Sequence, residues 1–145
     1  MKLTSPDFEN GGMIPSEMTC DGSDISPDLS IADVPEEAKS LSIIMDDPDA
    51  PSGTFVHWVV WNIPPDTKKI GRGTEPEGVQ GRTGFGGRGY GGPCPPSGTH
   101  RYYFKVYALD DEISLREGSS KGELEEAMEA HIITNAELMG KYSRR

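Results

Sequence analysis

The residues able to do chemistry fall in three short stretches. Asp46-Asp47-Pro48-Asp49-Ala50-Pro51 carries three carboxylates on a turn stiffened by two prolines. His57 follows within a strongly apolar run, and Gly91-Gly92-Pro93-Cys94-Pro95-Pro96-Ser97-Gly98-Thr99-His100 delivers a second histidine from a rigid loop. Proline fixes φ, so both loops hold a shape before any ligand arrives. The adjacent glycines leave backbone N–H groups open to an anion. Imidazoles beside carboxylates suit an anion site, a metal site or the activation of a nucleophile.

Each chemistry makes its own demand on spacing. Two histidines with Asp47 or Asp49 suit zinc by ligand type, yet the spacings His-Glu-x-x-His, Cys-x2-Cys and His-x3–5-His are missing. Cys94 with His57 or His100 is the candidate thiolate pair of a cysteine hydrolase. It stands between Pro93 and Pro95, away from any helix N-terminus that would lower its pKa. No Gly-x-Ser-x-Gly elbow or Gly-Lys-Ser/Thr phosphate loop is present. The run Gly84-Phe85-Gly86-Gly87-Arg88-Gly89 lacks the flanking strand and helix of a nucleotide site. Singly, a histidine beside a strand is most often a hydrogen-bonded structural group, and aspartates beside prolines often only cap turns.

The elements that must position these groups are mostly strands. The 145 residues read as one domain, 1–145, and the 18 glycines and 12 prolines argue against a helix bundle. Leu41–Met45, Phe55–Ile63 and His100–Leu109 read as strands. Strict alternation sets Phe55, His57, Val59 and Trp61 on one side of the second, opposite Val56, Trp58 and Val60. On the third, His100, Tyr102, Phe104 and Val106 share a side. Residues 71–98 hold 11 of the glycines and read as a long functional loop. Ser120 and Glu123 form a capping box, and Leu124, Ala127, Met128, Ile132, Ala136 and Met139 recur at helical spacing, predicting a helix that stops at Gly140. His131 then packs from that helix against the sheet.

Charge narrows the partners. Net charge is −10, with 13 acids and 2 bases in residues 1–66, but residues 67–107 carry 7 bases against 2 acids. The whole repels nucleic acid and anionic membranes, while the middle segment attracts a small anion. No run of 18 apolar residues is present, so no integral membrane association is expected. The opening Met1-Lys2-Leu3-Thr4-Ser5-Pro6 has no apolar core, and a cytoplasmic location is the expectation. Cys20 and Cys94 read either as two free thiols or as one bridge, and the sequence leaves both open.

In combination these stretches are distinctive. Asp47-Pro48-Asp49-Ala50-Pro51, His57-Trp58 and Gly92-Pro93-Cys94-Pro95-Pro96-Ser97-Gly98-Thr99-His100-Arg101-Tyr102, in that order, resemble the phosphatidylethanolamine-binding protein family. Thr19-Cys20-Asp21-Gly22, Ser26-Pro27 and Ala136–Tyr142 resemble its short bacterial and archaeal branch, described as Raf kinase inhibitor-like. The resemblance implies a mainly β fold, a β-sandwich of two antiparallel sheets with a C-terminal α-helix. It implies a small surface pocket for phosphate, acetate or a phosphorylated head group, lined by Asp47, His57, His100 and Tyr102 with Gly92 and Pro95 as walls. Arg101 would pair with a nearby acid, and the Ala50–Pro51 peptide would be cis. No cofactor or metal is implied. Eukaryotic members have a longer segment, with extra aromatic groups, between the first motif and its histidine; only Ser52–Val56 intervenes here, so their phospholipid specificity is not carried over. Their C-terminal helix also differs, so kinase inhibition and flowering control are not carried over either.

The expectation is therefore a non-enzymatic binding or regulatory protein. Its rivals are an inhibitor of a protease or kinase acting through the loop surfaces of residues 71–98, and a metal-dependent or cysteine hydrolase. A homodimer is a further expectation, with Trp61 and the tyrosines at 102, 103 and 107 as candidates for its face.

Overall fold

The computed structural model describes residues 1–144. The chain runs β1 (Lys2–Thr4), a 3-10 turn at Ser16–Met18, β2 (Leu29–Ala32), β3 (Ser40–Asp47), β4 (Phe55–Ile63), β5 (Lys69–Ile70), β6 (Val79–Gln80), β7 (Thr99–Leu109), α1 (Lys121–Met128) and β8 (Ile132–Ser143). Two antiparallel sheets result, a small one in the order β1-β2-β5 and a large one in the order β6-β4-β3-β7-β8. β3 lies at the centre, and every one of its residues is buried. One face of the large sheet packs on the small sheet, where Leu41, Ile43, Met45, Trp58, Val60, Tyr102 and Phe104 meet Leu3, Leu29, Ile31 and Ile70. The other face is covered by α1 and the segment before it, with Ile44, Val59 and Trp61 against Ile113, Leu124 and Met128. Each large apolar side chain buried this way stabilises the fold by about 1.5–3 kcal/mol.

Two bulges give β4 its shape. Met45 pairs with Trp58 but Asp46 with Val56, so His57 is an extra residue in the strand. A second irregularity lies between Val60 and Ile63, where Asn62 has φ 57 and exchanges side-chain hydrogen bonds with the Ile113 backbone. The first bulge breaks the strict alternation. Trp58 and Val60 turn to the inter-sheet core with Tyr102, and Val56, Val59 and Trp61 turn to the helix side. On β7, which has no irregularity from His100 to Ala108, the expected alternation holds.

The C-terminal helix is shorter than its spacing suggests. The Ser120–Glu123 capping box forms, but α1 ends at Met128 and residues 132–143 build β8. Ile132-Ile133-Thr134 is a β-branched run, stiff in a helix and well suited to a strand. β8 pairs along the whole edge of β7, from Thr99↔Ser143 to Leu109↔Ile132. Gly140 is thus a strand residue rather than a helix stop. A Cβ there would meet Ile14 and Phe8, which close over the sheet. His131 sits in the turn after α1 and bonds Asp110 at 2.8 Å, rather than packing on the sheet.

Candidate functional site

The end of β3 supplies Asp47, on the face that further along the strand carries Leu41, Ile43 and Met45. Its neighbour Asp46 faces the other way, where Lys105 and Lys121 approach its Oδ2 at 3.3 and 2.9 Å. The turn after Asp47 is pinned at two points. Asp49 N–H donates to Asp47 Oδ1 at 2.7 Å, and the Asp49 carboxylate receives Arg101 through the backbone N–H, Nε and Nη2 at 2.8–2.9 Å. The guanidinium holds the Asp49 carboxyl at about 2, well below its usual 3.8. Arg101 therefore pairs with an acid, as expected. Every peptide bond among the described residues is trans, so the cis Ala50–Pro51 bond is not formed.

The bulge in β4 carries His57 towards the same end of the sandwich. Its Nδ1 donates to the Gly91 carbonyl at 2.7 Å, and Gly91 N–H donates back to the His57 carbonyl at 3.0 Å. A carbonyl can only accept, so Nδ1 carries the hydrogen and Nε2 is the bare nitrogen of the neutral ring. Burial lowers the His57 pKa from its usual 6.5, because a charged imidazolium is poorly solvated there; the Gly91 carbonyl and Asp47 oppose this in part.

β7 supplies His100 and Tyr102 from one face. His100 Nδ1 lies 2.7 Å from Asp47 Oδ2, with both side chains buried. The Tyr102 ring stands edge-on to His57, centroids 5.3 Å apart, and stacks at 6.4 Å on His100. Its hydroxyl is fully buried, close to the Asp47 carboxylate, but closes no hydrogen bond of good geometry among the described residues. Burial first, and the Asp47 charge second, hold this phenol protonated far above its usual range.

These groups floor a cleft of about 310 Å³. Asp47, His57, His100 and Tyr102 supply its polar side, and Pro51, Phe55, Phe85, Cys94, Pro95 and Pro96 its apolar walls. Five of the six expected ligand-binding residues thus line one cavity, and Gly92 does not. Gly92 is buried behind the wall, donating its N–H to Asp24 Oδ1 at 2.8 Å, and a Cβ there would run into the Met18 carbonyl and Asp24. Phe85 was not foreseen. It is 54% exposed and stands edge-on to Phe55 and His57 at 4.9 and 5.4 Å. Its only sequence signal was a large aromatic residue between glycines.

The hydrolase readings fare differently. Cys94 is bridged to Cys20, Cα atoms 5.4 Å apart, so no thiolate is present to pair with either histidine. Among the described residues, no three His, Cys, Asp or Glu side chains converge as a metal-ligand set. Among the described residues, no helix is long and apolar enough to cross a membrane.

Comparison with known proteins agrees with this architecture. Residues 4–143 match the family profile described as phosphatidylethanolamine-binding protein. An uncharacterised UPF0098 protein of Methanothermobacter thermautotrophicus is 51% identical, covering 99% of both chains. The crystal structure of a putative phosphatidylethanolamine-binding protein homolog from Chlamydia trachomatis superposes with a TM-score of 0.96 at 47% identity, over 99% of this chain and 97% of that one. Escherichia coli YbcL, described as a new member of the mammalian family, superposes with a TM-score of 0.92 at 34% identity, over 99% and 98%.

Proposed function

The chain belongs to the phosphatidylethanolamine-binding protein family, and on that premise we propose that it is a non-enzymatic binding protein whose cleft takes a phosphate-like anion, free or as a phosphorylated head group. The Tyr102 hydroxyl carries this reading. A buried hydroxyl without a partner costs about 1–3 kcal/mol, and an oxyanion in the cleft would remove that cost. His100, held at Nδ1 by Asp47, and His57, held at Nδ1 by Gly91, each donate from Nε2 to a guest in the imidazolium form. Asp47 repels an anion, but its carboxylate is engaged at His100 Nδ1, on the side of the ring away from Nε2. The apolar walls favour a guest that carries an organic group beside its charge.

Titration calorimetry with sulfate at pH 6 and pH 8 tests this reading. Sulfate stays a dianion throughout, so a change in affinity reports the protein alone. Binding is expected to be tighter at pH 6, because a bound dianion favours protonation of His57 against the burial that opposes it. Equal affinity at both pH values, or no binding at either, overturns it.

A second reading has its own observation. Phe85 stands exposed on a glycine-rich loop, the kind of aromatic group that anchors a protein partner such as a protease or kinase. Replacing both His57 and His100 separates the two: inhibition that survives while sulfate binding is lost belongs to the loop surface.

A further inference from the structure

Cys94 has two positions at once. It is half of the bridge to Cys20, and it forms part of the cleft wall with Pro95 and Pro96. Both cysteines are exposed. The chain on either side of Cys94 is held unequally. Before it, Gly91 is bonded both ways to His57, Gly92 donates to Asp24, and the Pro93 carbonyl accepts from Cys20 N–H at 3.1 Å. After it, among the described residues no backbone hydrogen bond holds Pro95 to Gly98 before β7 begins at Thr99. The bridge is the covalent tie that keeps this wall beside His100.

We propose that the Cys20–Cys94 bridge is a thiol–disulfide exchange site, reacting with a small dithiol, whose redox state sets the affinity of the cleft; the proposal rests on the anion reading above. The thiolate of the dithiol attacks Cys20 Sγ, forming a mixed disulfide and expelling Cys94 as a thiolate. Arg144, with Nη1 3.7 Å from Cys94 Sγ, sets a guanidinium beside that leaving sulfur. The second thiol of the reagent, deprotonated in its turn, attacks the reagent sulfur of the mixed disulfide and expels Cys20. The reagent leaves as a cyclic disulfide. Two electrons have passed to the protein sulfurs, and the two thiol protons end on Cys20 and Cys94. Freed of the tie, Pro95–Gly98 must be ordered again by each guest, a conformational cost the bridged form has already met. The coupling is reciprocal: a guest that prefers the bridged wall makes the bridge harder to reduce.

The test uses inorganic phosphate at fixed pH. Calorimetry on the oxidised chain and on the dithiothreitol-reduced chain should give an affinity about fivefold or more lower after reduction, the size usual for coupled sites. In a dithiothreitol redox buffer, saturating phosphate should raise the reduced-to-oxidised ratio needed for half reduction by the same factor. Cys20→Ser with Cys94→Ser should bind as the reduced chain does; if that variant is unfolded by circular dichroism, the redox titration on the native chain decides. Equal affinities in folded oxidised and reduced protein, or a half-reduction ratio that phosphate leaves unmoved, overturn the proposal alone. An oxidised chain that binds no phosphate overturns the anion reading and the coupling with it.

Discussion

His100 Nδ1 lies 2.7 Å from Asp47 Oδ2, and the exposures of the two side chains are only 8% and 4%. The partners are 53 residues apart, and they meet because β3 and β7 are hydrogen-bonded neighbours. His100→Leu would leave Asp47 a buried carboxylate without its partner, at a cost of about 3 kcal/mol. Asp47→Asn in that background should recover much of the loss. A double-mutant cycle by urea unfolding measures the coupling, and additivity within about 0.5 kcal/mol would mean that the contact contributes nothing.

Tyr102→Phe should divide affinity from stability. The hydroxyl is buried and closes no hydrogen bond of good geometry, so removing it should leave the urea midpoint unchanged or raised. Sulfate should then bind about fivefold more weakly, the loss of one hydrogen bond of roughly 1 kcal/mol. A fall in stability with unchanged sulfate affinity would mean that the hydroxyl serves the fold and not a guest.

His57 should make the protein sensitive to acid. Burial sets its folded-state pKa below the usual 6.5, so as pH falls the unfolded chain takes up a proton before the folded one does. Its contribution is intact above 6.5 and is lost progressively below. His57→Gln should flatten the fall in the urea midpoint between pH 7 and pH 5, and sulfate should offset part of that fall in the parent protein. Parallel profiles for parent and variant would rule out the assignment.

Much of the site could be read from residue order alone, because its motifs lie where strands meet stiff turns. Asp47 closes β3, and His100 and Tyr102 alternate on β7, where uninterrupted pairing preserves the period of two. The period failed on β4, since the extra residue at His57 comes from pairing with β3 and leaves no mark in local composition. It failed again after Met128. Ile132, Ala136 and Met139 fit a helical stripe, whereas Ala136, Leu138 and Tyr142 fit one face of a strand, and the free edge of β7 selects the second. Phe85, one part of the cleft's apolar side, stayed hidden for a related reason: it comes to His57 where Gly84 N–H bonds the Val56 carbonyl.

Gly92 separates a residue that holds the site from one that touches a guest. A Cβ at this position would meet the Met18 carbonyl, Asp24 Oδ1 and the Thr19 Cα. The two backbone atoms cannot yield cheaply. The Met18 carbonyl already accepts from Tyr90 Oη at 2.7 Å, and Cys20 N–H is bonded to Pro93, one residue beyond. Gly92→Ala should therefore lower stability by about 2 kcal/mol, as overpacking against fixed backbone does. Gly87→Ala is the control, since a Cβ there meets nothing within 4 Å and φ is not positive. That change should stay within about 0.5 kcal/mol of the parent. Because Gly91 orients His57, the displaced loop of Gly92→Ala should also weaken sulfate binding, and releasing the loop by reduction of the bridge should weaken it further. Full stability in Gly92→Ala would mean that the loop from Tyr90 to Cys94 is not held against Met18–Asp24 in solution, and the histidine it steadies would lose its fixed orientation.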